Sequence, residues 1–517
     1  MTQKKLPIGI KSFDKIINNN YIYADKTGYI YDLVTDEENS NFFLSRPRRF
    51  GKTLLIRTLK ELFSGRRELF QGLLIDKLGY DFPKRAVISL SLSTNSDTKE
   101  IFEHNLMIML KEIAEAYNVS VPISTSAQYF DGLIKAVSKK TNSQVAVLID
   151  EYDAPVTRNM ANVSVATENA KVLHDFFAKL KVDEVADCVA FTLITGVTRC
   201  ALNSMDSGAN HLNDISLAPE YDGICGFTIP EFDALFADRL EETLESLKNI
   251  GKFTPDAKPY DLRKEIFRWY NGYDWGGNNR VLNPFSILHF FKNKSFAKYW
   301  IESGLLTHLT ALIKARPWDF IDLKLDSYLS ETIRKTELNK LEIAPVLFHS
   351  GYLTLNRPPK SPELDQKTDD NTVEPEEYSF RLPNYEISSS YYNDCFDLFM
   401  LRTDELKAKK EELIQAFLSK DGSTVSSILS SFFGSITFFQ KPKGESSFHA
   451  FVQLILKAMD FQVDSELAGA AGRLDIGLRL ANHNYLIIEL RYCPETNKLT
   501  EDEINHILAA AAETQQF

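Results

Sequence analysis

Two short clusters in this chain carry residues that can do chemistry together. The first is Arg46-Pro47-Arg48-Arg49-Phe50-Gly51-Lys52-Thr53, which follows an apolar run and precedes an amphipathic stretch. A strand, a glycine-bearing turn and a helix start direct free backbone N–H groups at an anion. In that layout Lys52 reaches the β- and γ-phosphates of a nucleotide, and the Thr53 hydroxyl binds Mg2+. Gly51 belongs to the loop itself, and Arg46, Arg48 and Arg49 add charge-assisted contacts to phosphate oxygens. The usual pattern G-x-x-x-x-G-K-[ST] has glycine where Arg46 stands, so the loop alone also fits a basic turn before an ordinary helix.

The second cluster resolves that choice. Val145-Ala146-Val147-Leu148-Ile149-Asp150-Glu151 is an apolar strand ending in an acidic pair. Asp150 is expected to hold Mg2+ through water, and Glu151 to orient and deprotonate an attacking water. A strand merely capped by acidic residues is the bland alternative, but the two motifs together make an ATP site the stronger reading. A later run ends in Thr195-Gly196-Val197-Thr198-Arg199. Thr198 or Arg199 is a candidate γ-phosphate sensor there, with ordinary strand-end turn chemistry equally in view.

These residues need a scaffold, and the hydropathy pattern supplies one. Four short apolar runs, Asn41–Ser45, Ala86–Leu92, Val145–Asp150 and Val189–Thr195, read as buried parallel strands. Helical stretches at Thr53–Phe63 and Ile101–Tyr117 separate them, an alternation that predicts an α/β domain with helices on both faces of a sheet. From 236 the pattern turns mostly helical, with Asn283-Pro284 opening a helix through Phe291. Residues 358–377 are acidic, proline-bearing and poor in apolar side chains, and read as an exposed loop between strand-like runs Tyr352–Leu355 and Tyr378–Leu382. The last segment gives a helix Glu445–Met459, strands Gln462–Leu467, Arg473–Leu480 and Asn484–Leu490, and a final helix Thr500–Ala512.

Length and composition set the bounds. At 517 residues, two or three domains are expected. A net charge of −12 argues against a generally cationic nucleic-acid wrapper. The five cysteines are scattered, without a CxxC pair, which predicts reduced thiols and neither a disulfide frame nor a zinc site. The start, MTQKKLPIGIKSF, lacks a signal-peptide apolar core, and no uncharged apolar run is long enough to span a bilayer. The expectation is a soluble, cytoplasmic protein.

RPRRFGKTLL, VLIDEYDAP, ITGVTRC and YIYADKTGYI resemble the bacterial AAA-ATPase-like proteins that carry a C-terminal PD-(D/E)XK nuclease-like domain. WYNGYDW (269–275), NPFSIL (283–288), HSGYLTL (349–355) and RLPN (381–384) resemble that family's middle-region signatures. The resemblance implies an AAA/ASCE-like P-loop NTPase domain over 1–235, a mostly helical middle region over 236–387, and an α/β restriction-endonuclease-like domain over 388–517. It makes the RRFGKT loop a family form. Asp25-Lys26-Thr27 matches a family motif of underived role, and as chemistry reads as an N-cap before a helix Gly28–Val34.

The nuclease-like signature would be Glu445, with His449 one helical turn later, then Asp475, Glu489 and Arg491. Asp475 and Glu489 on successive strands would hold metal, which polarises a scissile phosphate and generates hydroxide. A hairpin with acidic residues on its solvent face competes with this. Arg491 stands where lysine is expected, and a guanidinium stabilises phosphate charge without serving readily as a base. From 436 onward there are 7 Lys/Arg against 11 Asp/Glu, so no basic DNA-binding face is evident. The chain also stops 26 residues after Arg491, where the fold normally adds another element.

The expectation is therefore a cytoplasmic, Mg2+-dependent ATPase whose nucleotide state controls a DNA-directed C-terminal domain. The alternatives are a nucleotide-switched sensor or scaffold with an inactive nuclease-like domain, or a kinase-like phosphotransferase. A homo-oligomer is compatible with the sequence. ATPases of this class can receive an arginine from a neighbouring copy, but no arginine stands out for that role.

Overall fold

A computed structural model describes residues 3–122, 125–160, 162–198, 211–302, 325, 328–329, 343–356, 377–399, 403–435, 445–459, 461–469, 472–479 and 485–488. The described residues up to Ile387 form one compact unit, and those from Ser388 onward form another. The expected acidic loop lies outside the described residues but for its last position, and the helix 500–512, Arg199, Glu489 and Arg491 lie wholly outside them.

The first unit is built on a parallel sheet. Its strands are β1 (Asn41–Ser45), β2 (Val87–Ser91), β3 (Val145–Asp150), β4 (Val189–Gly196) and the short β5 (Asn213–Asp214), in spatial order β2-β3-β4-β1-β5. All four pairings are parallel. Every residue of β3 is buried, as expected of a central strand covered on both faces. Burying each of its larger side chains contributes roughly 1.5–3 kcal/mol. The β4 strand lies between β1 and β3, so the basic loop and the acidic pair emerge two strands apart at the carboxyl edge. Ligands bind at that edge in open α/β sheets.

The helices described up to β4 are α1 (Phe13–Asn18), α2 (Thr27–Thr35), α3 (Lys52–Phe63), α4 (Leu74–Lys77), α5 (Lys99–Ala116), α6 (Ser126–Thr141), α7 (Ala154–Thr157), α8 (Val163–Phe177) and α9 (Asp183–Ala186). Residues from α5, α6 and α8 pack with β2 and β3 into one core, in which Phe130 and Phe176 stack at 4.1 Å. A second core gathers helices Ile229–Asn249, Pro259–Tyr270 and Pro284–Asn293 around Phe232, Phe236, Phe290 and Phe291. The Asn283 side chain caps the last of these, accepting from Phe285 N at 2.9 Å. Pro284 fits directly behind it because the first helical N–H has no intrahelical partner.

The second unit contains helices Thr403–Ser419, Gly422–Ser435 and Glu445–Ala458, then strands Gln462–Gly469, Gly472–Arg479 and Tyr485–Ile488. The three strands pair antiparallel in sequence order.

Candidate nucleotide site

The chain leaves β1 at Ser45 and enters α3 at Lys52. Within the turn Arg49 has φ +70° and Gly51 φ +111°. A Cβ on Gly51 would meet nothing within 4 Å, so backbone angle and not space makes glycine suitable there. Arg49 holds a left-handed conformation that disfavours a side chain, with its guanidinium 5.0 Å from the Phe285 ring centre.

The Lys52 side chain is buried and folds back over its own loop. Its Nζ donates to the carbonyls of Arg46 at 2.7 Å and Pro47 at 2.9 Å. Burial pushes its pKa down, while the carboxylates of Asp150, Asp153 and Glu151 pull it up. A buried ammonium held by neutral carbonyls is a site where anionic phosphate would relieve desolvation.

Arg46 departs from the phosphate role expected of it. The residue is 1% exposed. Its guanidinium donates to the carbonyls of Ser45 (2.9 Å), Ser216 (2.6 Å) and Tyr221 (3.2 Å) and stacks over Trp275 at 4.9 Å. Arg46 is not among the residues that line the cavity described below. Arg46 braces the turn, which explains an arginine in the place of glycine. Arg48 and Arg49 remain exposed.

The acidic pair ends β3. Asp150 is buried, and its Oδ1 accepts from the Thr195 hydroxyl on neighbouring β4 at 2.8 Å and from Glu151 N at 3.0 Å. That leaves Oδ2 for another ligand. Glu151 is half-buried with φ +51°, a strained turn of the kind that clusters at functional sites. Asp150 and the Thr53 hydroxyl are hard oxygen donors. One or two protein ligands plus phosphate and water are what Mg2+ takes in such sites, so this donor set fits the metal.

Asp153 is a residue whose part only the structure makes visible. Its buried carboxylate accepts from Val197 N, from Thr198 N at 2.7 Å and from the Thr198 hydroxyl at 3.2 Å. Burial raises its pKa, opposed by those N–H donors and Lys52. Tyr152 adds a bond from its hydroxyl to Thr198 O at 2.7 Å. The Thr198 hydroxyl is thus turned toward Asp153, and Val197 faces the cavity in its place. The ligand-free contacts of Thr198 thus join the end of β4 to Asp153 and Tyr152.

Lys52, Thr53, Arg48, Arg49, Glu151 and Asp153 line one cavity of about 460 Å³. Its lining also includes the apolar Ile10, Ile22, Ile224, Phe227, Phe285 and Leu288. Small-molecule sites of this size combine such side chains with few placed polar groups. At the Asp25-Lys26-Thr27 segment the N-cap position is Lys26, which makes no side-chain cap bond. Asp25 accepts from Thr27 N at 3.0 Å at the start of α2, and its other oxygen accepts from Leu74 N at α4. Lys26 is buried, lines the cavity and donates to Glu231 Oε2 and Gly223 O, both at 2.6 Å.

Residues of the middle region touch the loop, among them Trp275 and Gly351 from its signatures and Trp300 outside them. The Trp300 indole N–H donates to Arg48 O at 3.0 Å. Gly351 has φ +92°, and a Cβ there would lie 2.7 Å from Pro47. Trp275 is the platform under Arg46, and Arg381 donates to Gly272 O at 2.7 Å.

In the second unit, Glu445 opens helix Glu445–Ala458, His449 follows in it, and Asp475 lies in strand Gly472–Arg479. Among the described residues no group of three or more His, Cys, Asp or Glu side chains is arranged to hold a metal ion.

The parallel sheet, the loop after β1 and the acidic end of β3 form an α/β arrangement that fits a P-loop-like domain. Residues 7–206 match the family model described as "Predicted AAA-ATPase". A protein of Azotobacter chroococcum mcd 1, described as an uncharacterized protein in the vnfD 5' region, is 29% identical over 495 residues. That alignment covers 94% of this chain and 89% of the relative. No helix among the described residues is long and apolar enough to cross a membrane.

Proposed function

We propose that the first unit binds ATP with Mg2+ and hydrolyses it. The observation that carries this reading is one cavity whose lining combines Lys52, Thr53 and Glu151 with a set of apolar side chains. The apolar side chains take the base. The loop N–H groups and Lys52, with Arg48 and Arg49, take the phosphates. Mg2+, held by Thr53 and Asp150, would neutralise charge on the β- and γ-phosphates. Glu151 accepts a proton from a water whose oxygen bonds to the γ-phosphorus. The bond to the β–γ bridging oxygen breaks, and ADP departs with that oxygen, leaving inorganic phosphate.

Two variants test this. Glu151→Gln should bind a fluorescent ATP analogue as tightly as wild type and lose turnover by about 10²–10⁴-fold, the usual range for a positioned general base. Lys52→Ala should lose binding. Unchanged turnover in Glu151→Gln would remove the assigned base.

The nucleotide state is proposed to control the second unit, whose helix and antiparallel strands would present Glu445, Asp475 and Glu489 to metal and DNA, with Arg491 assisting. Arg491 in the position of the expected lysine favours the second reading, in which this unit binds without cutting and the protein is a nucleotide-switched sensor.

A further inference from the structure

We propose that Arg158 contacts the γ-phosphoryl group from within the same chain and stabilises the charge that gathers there during hydrolysis. This rests on the ATP site proposed above. It supplies an arginine in cis where no arginine stands out from the sequence.

The placement follows from the connection after β3. Glu151 begins it, and α7 follows immediately. Asp153, Ala154, Thr157 and Arg158 all line the cavity that holds Lys52 and Glu151. Positions 154, 157 and 158 are spaced i, i+3 and i+4, so they share one helical face. Arg158 closes that face at the end of α7, on the same connection as the proposed base.

The segment is braced. Arg158 Nη1 donates to Thr94 O at 3.0 Å and Nη2 to Ser93 Oγ at 2.7 Å. Ser93 also lines the cavity and lies two residues beyond the end of β2, where Ser91 pairs with Asp150. Neighbouring Asn159 donates to Ser96 O and Pro155 O, both at 2.9 Å. Buried Asn169 on α8 donates to the same two carbonyls at 2.8 and 2.9 Å. The loop after β2, α7 and α8 are therefore sewn into one support, and a guanidinium mounted on it is held in place beforehand. Preorganised charge of this kind stabilises a transition state without further reorganisation.

The charge itself is unspent. Both acceptors of Arg158 are neutral, and among the described residues no carboxylate is paired with it. Two of its five N–H donors are used, which leaves three for phosphoryl oxygens. The residue is exposed and lines the cavity. Arg48 lies close enough to feel its repulsion, together with the attraction of Asp153 and Glu151. Arg48 and Arg158 line the same cavity as the proposed base, and mutually repelling guanidinium groups there favour an anion. In the reaction, the attacking water gives its proton to Glu151, the new bond forms at the γ-phosphorus and the bridging oxygen leaves with ADP. Negative charge on the three γ-oxygens is what Arg158 meets.

The test uses full-length Arg158→Ala and Arg158→Lys beside wild type. Three quantities are read: affinity for fluorescent ADP, trapping of the ADP–aluminium fluoride transition-state analogue with Mg2+, and ATP turnover. Arg158→Ala should bind ADP within about twofold of wild type, which also reports a folded cavity. It should fail to trap the analogue and lose turnover by about 10³-fold, the lower end for a γ-phosphate arginine. Arg158→Lys should recover part of both losses, because charge is kept and the planar fork is not. Wild-type trapping and turnover in Arg158→Ala would overturn the role of Arg158 while leaving the ATP site standing. Equal loss of ADP binding, trapping and turnover would reduce Arg158 to a brace and overturn the proposal. A wild-type protein that binds no nucleotide would remove the site and this role with it.

Discussion

Three arginines stand in one loop, and the structure separates what they do. Arg46 is sealed under Trp275 with three carbonyl acceptors, while Arg48 and Arg49 face the cavity. Arg46→Ala would leave those acceptors without a donor and open space beside an indole. Each buried polar group left unsatisfied costs about 1–3 kcal/mol, so a loss on the order of 3 kcal/mol is expected in urea unfolding. Nucleotide binding should fall with it, because the turn loses its brace. Arg48→Ala should change unfolding by no more than about 0.5 kcal/mol, as surface substitutions usually do, and weaken ATP binding more than adenosine binding. An Arg46→Ala protein as stable as Arg48→Ala would contradict the bracing role. Sequence spacing could not sort these residues. The partners of Arg46 lie at Ser216, Tyr221 and Trp275, brought together only by the fold. Asp153 and Thr195 escaped for the same reason, although Asp153 stands in the DEYD stretch directly after the acidic pair.

Among the elements, legibility followed burial. The strands β1 to β4 announced themselves because a covered parallel strand is a short unbroken apolar run, and their ends agree with the observed ones to within a residue. The helix start at Asn283-Pro284 was equally plain, since an amide cap and a first-turn proline are local chemistry. The middle region's purpose was not plain, because its motifs act through contacts with a loop far away in the chain. Trp300 donates to Arg48 O, Gly351 abuts Pro47, and Trp275 backs Arg46. Buried Glu386 in turn accepts from Trp300 N and Ser286 Oγ, both at 2.7 Å. Ser286 belongs to the helix that carries cavity residues Phe285 and Leu288. A ligand that shifts the loop must therefore disturb Trp300. Addition of a slowly hydrolysed ATP analogue should change intrinsic tryptophan emission, and Trp300→Phe should abolish most of that change. The lost hydrogen bond is worth about 1 kcal/mol, so affinity should fall about fivefold. An emission change of undiminished size in Trp300→Phe would place the response elsewhere.

At the scale of the whole molecule the question is what the proposed ATP turnover would serve. The second unit supplies a helix and a three-stranded antiparallel meander. Asp475 stands in the middle strand, and the chain places Glu489 directly after the third. Metal-dependent phosphodiester cleavage needs two such carboxylates on one ion. If the unit cuts, Asp475→Ala and Glu489→Ala should each abolish plasmid nicking in Mg2+ or Mn2+, as should EDTA for wild type, while the two variants keep the ATP turnover proposed for the first unit. Arg491→Lys sharpens the test, because lysine can lose its proton near a metal-bound water and arginine cannot. If the unit is a nuclease limited by its arginine, Arg491→Lys should cut faster than wild type. If cutting is absent from wild type and from Arg491→Lys alike, the second unit is a binding module. ATP then switches what it holds, and the expected readout becomes nucleotide-dependent retention of DNA in a filter assay.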